Sequence, residues 1–116
     1  PKPACLLYGG ETSVRVTGSG TGGRNQHLAL SAAIKLRDIP GITVLSAGTD
    51  GTDGPTDAAG AVADSGTMAR ALSMNEDPIS YLAGFDSFNF FRKVGGLITT
   101  GPTFTNVMDI VVVIVE

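Results

Sequence analysis

The chain has 116 residues, 42% of them apolar and 16% charged, with a formal net charge of −3. That length and composition fit one domain with a buried core and exclude global disorder. Eight basic residues against eleven acidic ones leave no electrostatic footprint for nucleic acid or an anionic membrane. The longest apolar run, 110–115, is far short of the ~20 residues a membrane span needs. A single cysteine, Cys5, cannot form an internal disulfide and suits a reducing compartment. The chain opens at Pro1 without an initiator Met, which predicts a fragment of something longer.

Residues 4–8 and 12–17 are β-rich runs separated by Gly9-Gly10-Glu11, and Gly-Gly between such runs predicts a hairpin at the N-terminus. Gly18 to Gly23 forms a glycine loop, and 25–37, free of Gly and Pro, carries a broad apolar helical stripe. Pro40-Gly41 ends that helix, and 42–45 reads as a short strand buried on both faces. A loop spans 47–57, and 58–64 fits either a tightly packed helix or a short strand. Thr67 is placed to cap a helix over 67–72. Asp77-Pro78 has the chemistry of a helix start, for a short helix ending near Gly84. Asp86-Ser87 starts another, carrying Phe88, Phe90 and Phe91 to Gly95-Gly96. A strand at 97–100, a loop at 101–106 and an apolar strand at 109–115 complete the order. Strands alternating with helices predict an α/β fold, a single layered domain with a mixed β-sheet and helices.

The first loop matches G-x-G-x-x-G at Gly18, Gly20 and Gly23. Such glycines let a backbone approach a phosphate, and the helix start beyond them adds free N–H groups. The acidic ribose contact expected about 20 residues further on is absent, and a strand paired in a hairpin does not suit a Rossmann opening. What remains is Arg24 and Asn25 at a helix start. They suit a carboxylate or phosphate, or else form a glycine turn beside a surface arginine. In the second loop Asp50 and Asp53 are candidates to hold Mg²⁺, and equally candidates for turn chemistry. Asp57 reads as a cap for a helix from Ala58 onward. In the third loop Thr103, Thr105 and Asn106 could bind a polar ligand or satisfy a turn around Pro102. His27, the only histidine, reads as a packed or surface residue. Cys5 reads as core, and the three phenylalanines as core or interface.

Three stretches, 22–26, 47–61 and 100–107, resemble the C-terminal domain of the glycerate 2-kinases, the MOFRL family, and the likeness runs essentially the whole chain in the same order. Two positions depart from it. The family usually has Glu where His27 stands and Gly where Phe104 stands. The resemblance implies transfer of the γ-phosphoryl of ATP to the 2-hydroxyl of D-glycerate, with Mg²⁺, in the cytoplasm. It implies an active site in a cleft between this domain, 1–116, and a larger N-terminal Rossmann-like domain, so that the isolated chain is catalytically silent. It gives Arg24 and Asp50 catalytic roles and Asp50 and Asp53 to the metal. Gly20, Gly22, Gly23, Asn25, Thr49, Thr103, Thr105 and Asn106 then contact substrate or phosphate. Members are often labelled hydroxypyruvate reductase, so an NAD(P)-dependent reductase is one alternative and a non-catalytic ligand-binding or interface module another. Apolar surface normally packed on the larger domain predicts self-association of the chain alone, which makes a homo-oligomer one of the expected states.

Overall fold

The strongest β signal in the chain, the run 110–115, belongs to the strand around which the sheet is assembled. The computed structural model describes residues 2–11 and 13–116. Its elements in chain order are β1 (Ala4–Gly10), α1 (Arg24–Lys35), β2 (Ile42–Gly48), β3 (Gly60–Asp64), α2 (Ser65–Ser73), α3 (Pro78–Ala83), α4 (Ser87–Val94), β4 (Leu97–Ile98) and β5 (Asp109–Val115). The sheet has five strands in the order β1-β5-β2-β3-β4. β5 pairs with β1 on one side and β2 on the other, so Val112 faces Leu7 and Leu45 in register.

The α/β layered domain expected from the sequence is what forms, with two corrections. Each strand pairing among the described residues is antiparallel, so the sheet is not mixed. The reason lies in the connections. A parallel pair needs a crossover such as a helix, and the one helix that joins two like-directed strands, α1, joins β1 to β2 with β5 inserted between them. The second correction concerns the N-terminal hairpin. Residues 13–17 form no strand, Thr12 lies outside the described residues, and β1 takes β5 as its neighbour instead. Gly9 and Gly10 lie inside β1, and Gly10, at φ +130°, turns the chain out of the sheet. The β-branched residues of β5 offer β1 better cross-strand partners than a segment that must run on into a glycine loop.

All helices stack on one face. Ala29, Leu30 and Ala33 of α1 lie against Ala61 and Ala63 of β3, with Phe90, Phe91 and Val94 of α4 closing the core. The alanines on both sides let helix and sheet approach closely. Among the described residues the opposite face carries no helix, so over 42–45 β2 is not buried on both faces: Val44 is buried, whereas Leu45 is only half-buried. On β1 and β5 that face is open, and Leu7 is 67% exposed. Cys5 is exposed on β1, not core.

Helix starts follow local chemistry. Asp77 accepts from the Ile79 N–H at 3.1 Å, and Pro78 begins α3. The cap of α2 is Asp64, one turn before the expected Thr67, because β3 runs directly into the helix. Asp64 accepts from Gly66 N–H at 2.8 Å, and the Thr67 hydroxyl accepts from Asp64 N–H at 3.0 Å. Residues 60–64 resolve as strand, so Asp57 caps no helix. It stands exposed, and the Thr56 hydroxyl accepts from Ala58 N–H instead.

Candidate functional site

The glycine loop is a strap lying on the α3–α4 corner. Residues 13–23 have no regular structure and are tied down by backbone bonds. Gly20 N–H donates to Gly84 O at 2.9 Å, Thr21 N–H to Asp86 Oδ1 at 2.9 Å, and Phe88 N–H to Thr21 O at 2.9 Å. A Cβ on Gly18 would strike the Gly84 carbonyl, one on Gly20 the Asp86 side chain, and one on Gly22 the Ser87 hydroxyl. Packing on this corner therefore accounts for the glycine spacing. The strap does not leave a strand as a dinucleotide fingerprint does, and with that the nicotinamide reading loses its structural basis. Gly20, Gly22 and Gly23 still line a cleft of about 400 Å³, together with Arg24, His27 and Phe85.

Asp53 holds the start of α1. Its carboxylate, 2% exposed, accepts at Oδ1 from Asn25 N (3.0 Å) and Asn25 Nδ2 (3.2 Å). At Oδ2 it accepts from Gln26 N (2.8 Å) and Gln26 Nε2 (2.9 Å). Gly23, the residue before α1, has no side-chain cap of its own, and a Cβ there would meet this carboxylate. Asp53 thus caps the helix from a distant loop, with both oxygens fully engaged, and does not fit as a direct cation ligand. Asn25 is itself fully buried, and its Oδ1 accepts from Ser46 Oγ at 2.7 Å, so its amide faces the interior.

The second and third loops are laced together by the side chains expected to bind ligand. Thr49 Oγ1 donates to Met108 O at 2.7 Å and accepts from Val107 N–H at 2.8 Å. Thr103 Oγ1 donates to Thr49 O at 2.5 Å, and Asn106 Oδ1 accepts from Met108 N–H at 2.9 Å. Asp50 Oδ1 accepts from Thr52 N–H at 3.0 Å, while its Oδ2 has no hydrogen bond among the described residues. The Thr105 hydroxyl is likewise without a hydrogen bond there, and Phe104 stands 97% exposed beside it. Among the described residues, no three His, Cys, Asp or Glu side chains group to hold a metal ion.

Arg24 opens α1 and meets a carboxylate that sequence reasoning passed over. Its Nε donates to Asp109 Oδ2 at 2.6 Å and its Nη2 to Asp109 Oδ1 at 3.0 Å. Asp109, 3% exposed, is the first residue of β5, and the one available signal was a lone carboxylate opening an apolar strand. Hydrogen bonding to Asp109 holds the Arg24 pKa above its ordinary value, against a smaller opposing effect of desolvation. Glu11 Oε1 lies 3.7 Å from Nη2, a looser and more exposed contact.

His27, one turn on, stacks on Phe85 with ring centroids 4.5 Å apart, and its Nδ1 is buried without a hydrogen-bond partner among the described residues. Desolvation lowers its pKa below the ordinary imidazole value. A depressed pKa in the fold means the unfolded chain binds the proton more readily. The stabilising effect is therefore complete above about pH 6.5 and is lost as the pH falls below it. Urea midpoints measured from pH 8 to 5 are expected to fall more steeply for the native chain than for His27→Gln. Parallel curves would remove His27 as the cause.

No helix among the described residues is long and apolar enough to cross a membrane. Comparison with known proteins agrees with this architecture. D-glycerate 2-kinase of Thermotoga maritima is 58% identical over 111 residues, covering 96% of this chain and 27% of that protein. A relative from Agrobacterium vitis with the provisional name hydroxypyruvate reductase is 47% identical, over 93% of this chain and 29% of its own length. The crystal structure of a glycerate kinase from Thermotoga maritima superposes with a TM-score of 0.96 at 56% identity, over 99% of this chain and 28% of that one. The chain thus spans 22–29% of the length of the relatives it matches. Residues 4–109 match the model of the MOFRL family, to which this chain belongs.

Proposed function

We propose that this chain is the C-terminal domain of an ATP-dependent glycerate kinase that phosphorylates the 2-hydroxyl of D-glycerate in the cytoplasm. The observation that carries this reading is the near-superposition on the Thermotoga maritima glycerate kinase, with a TM-score of 0.96. Phosphoryl transfer asks a protein mainly for positioning and charge neutralisation, and the chemistry left unengaged at the cleft and the loop ends is of that kind. Arg24 keeps N–H groups beyond those Asp109 uses, for the glycerate carboxylate or the transferring phosphoryl. Asp50, half-buried with one oxygen unengaged, fits the single carboxylate contact that a phosphate-bound Mg²⁺ takes from a protein. Such an ion supplies neutralisation of the developing phosphoryl charge. Thr105 presents a hydroxyl to the polar end of the substrate. The uncovered apolar face of the sheet gives the larger remainder of the enzyme a surface to bury.

The test uses the full-length protein that carries this chain. Arg24→Ala is expected to lower kcat/KM for ATP-dependent phosphorylation of D-glycerate by a hundredfold or more, about 2.7 kcal/mol. Oxidation of NAD(P)H by hydroxypyruvate is followed beside it. Nicotinamide turnover without phosphoglycerate formation would overturn the kinase reading.

A further inference from the structure

The way Arg24 meets Asp109 leaves one edge of the guanidinium open. Nε and Nη2 both point their hydrogens at Asp109, a side-on pairing. A guanidinium carries five N–H groups in one plane, so the second N–H of Nη2 and both of Nη1 remain for an end-on partner. Among the described residues, Nη1 makes no hydrogen bond. Glu11 stands 3.7 Å from Nη2 on a side chain that is 60% exposed, as a loose occupant a ligand can displace.

Asp109 itself is held where it cannot drift. It lies in register with Gly48 of β2 and Gly10 of β1, so its neighbours on both sides are strands and not loops. At Gly48 the space is tight: a Cβ would lie 2.6 Å from Thr52 O and 3.7 Å from Asp109 Oδ1. The carboxylate is thus fixed at the end of a strand paired on both sides, the guanidinium is fixed to the carboxylate, and Arg24 lines the cleft.

We infer that Asp109 is a positioning residue: it fixes the plane of Arg24 so that the end-on N–H pair faces an oxyanion bound in the cleft, a carboxylate or a phosphoryl group. This rests on the kinase reading, in which Arg24 contacts substrate. An arginine without this restraint would sample many rotamers, and the bidentate contact would have to be ordered anew in each binding event.

Steady-state kinetics of the full-length enzyme with ATP and D-glycerate, beside thermal melting of each variant, test the inference. Asp109→Asn preserves shape and is expected to cost 10–100-fold in kcat/KM. Since the inferred effect of Asp109 on the reaction passes through Arg24, the double variant Asp109→Asn with Arg24→Ala is expected to be no slower than Arg24→Ala alone. A folded Asp109→Asn enzyme with native kcat/KM, or losses that multiply in the double variant, overturns the inference. Should Asp109→Asn fail to fold, Arg24→Lys decides. Its single ammonium keeps the charge but cannot pair side-on and end-on at once, so it should lose activity as Arg24→Ala does, and native kcat/KM in Arg24→Lys overturns the inference. Native activity in Arg24→Ala itself would remove the underlying placement of Arg24 at the substrate, a failure separable from the other two.

Discussion

Replacing Asp53 with alanine is expected to lower the unfolding free energy by about 3–5 kcal/mol, the usual effect of removing one partner of a buried charged network. The carboxylate accepts four N–H groups, two from the backbone at the first turn of α1 and two from the side chains of Asn25 and Gln26. Alanine leaves the two backbone N–H groups and Asn25 Nδ2 without that acceptor in a buried place, at about 1–3 kcal/mol for each stranded donor before relaxation, while Gln26 Nε2 keeps Thr56 Oγ1 at 3.0 Å. Domains of this size have roughly 5–15 kcal/mol in total, so the variant should be marginal. Asp53→Asn keeps the volume but turns an amide NH₂ toward N–H donors, and should recover little. Urea unfolding with the m-value checked against the native chain measures both. A loss below about 1 kcal/mol would mean that α1 does not depend on this cap. Added Mg²⁺ should leave the Asp53 contribution unchanged, because neither oxygen has a free edge.

Phe90→Ala is expected to destabilise by a similar amount, about 3–5 kcal/mol, for an apolar reason. Phe90 is fully buried, edge-to-face with Phe91 at 5.0 Å and with Tyr81 at 5.5 Å. The same core holds Ala29 and Ala33 of α1 and Ala61 and Ala63 of β3, which have no longer side chain to fold into the cavity. The consequence reaches the cleft. Phe90 N–H donates to Asp86 O at 3.2 Å, and Asp86 holds the strap through Thr21 N–H. Faster hydrogen exchange at Thr21 and Phe88 should accompany the lower midpoint, and Phe90→Leu should restore more than half of the loss. An unchanged midpoint in Phe90→Ala would show that the aromatic cluster is not what holds α4 to the sheet.

Much of the fold was legible because its signals are local. The helix at 25–37 showed in its apolar stripe, α3 in Asp77-Pro78, and β5 in an unbroken run of β-branched residues. Local signals also misled where two partners competed. Ser13-Val14-Arg15-Val16-Thr17 alternates like a strand, yet the chain there must reach the α3–α4 corner, and β5 offers β1 a longer ladder. The residues 58–64 stayed ambiguous because small side chains serve close packing in either geometry. The three loops were visible as polar and glycine-rich, but their division of labour was not. Thr49 and Thr103 lace two loops together, Asn106 closes a turn within its own loop, and Asn25 and Asp53 are buried, whereas Asp50 and Thr105 keep unengaged oxygens.

By itself, then, the sequence determined most element types and the starts of α1, α3 and α4, since these depend on residues within a turn or two of one another. The tertiary structure decided which carboxylate does what. Asp53 reaches α1 across 28 residues, and Asp109 reaches Arg24 across 85, from the end of a strand that lies between β1 and β2. No periodicity or spacing encodes such pairs, because an aspartate in a loop and one at the mouth of a strand look alike until folding brings one beneath a helix start and the other beside a guanidinium. What distinguishes them is burial, which forces every charged oxygen to find a donor and so assigns each carboxylate its partner.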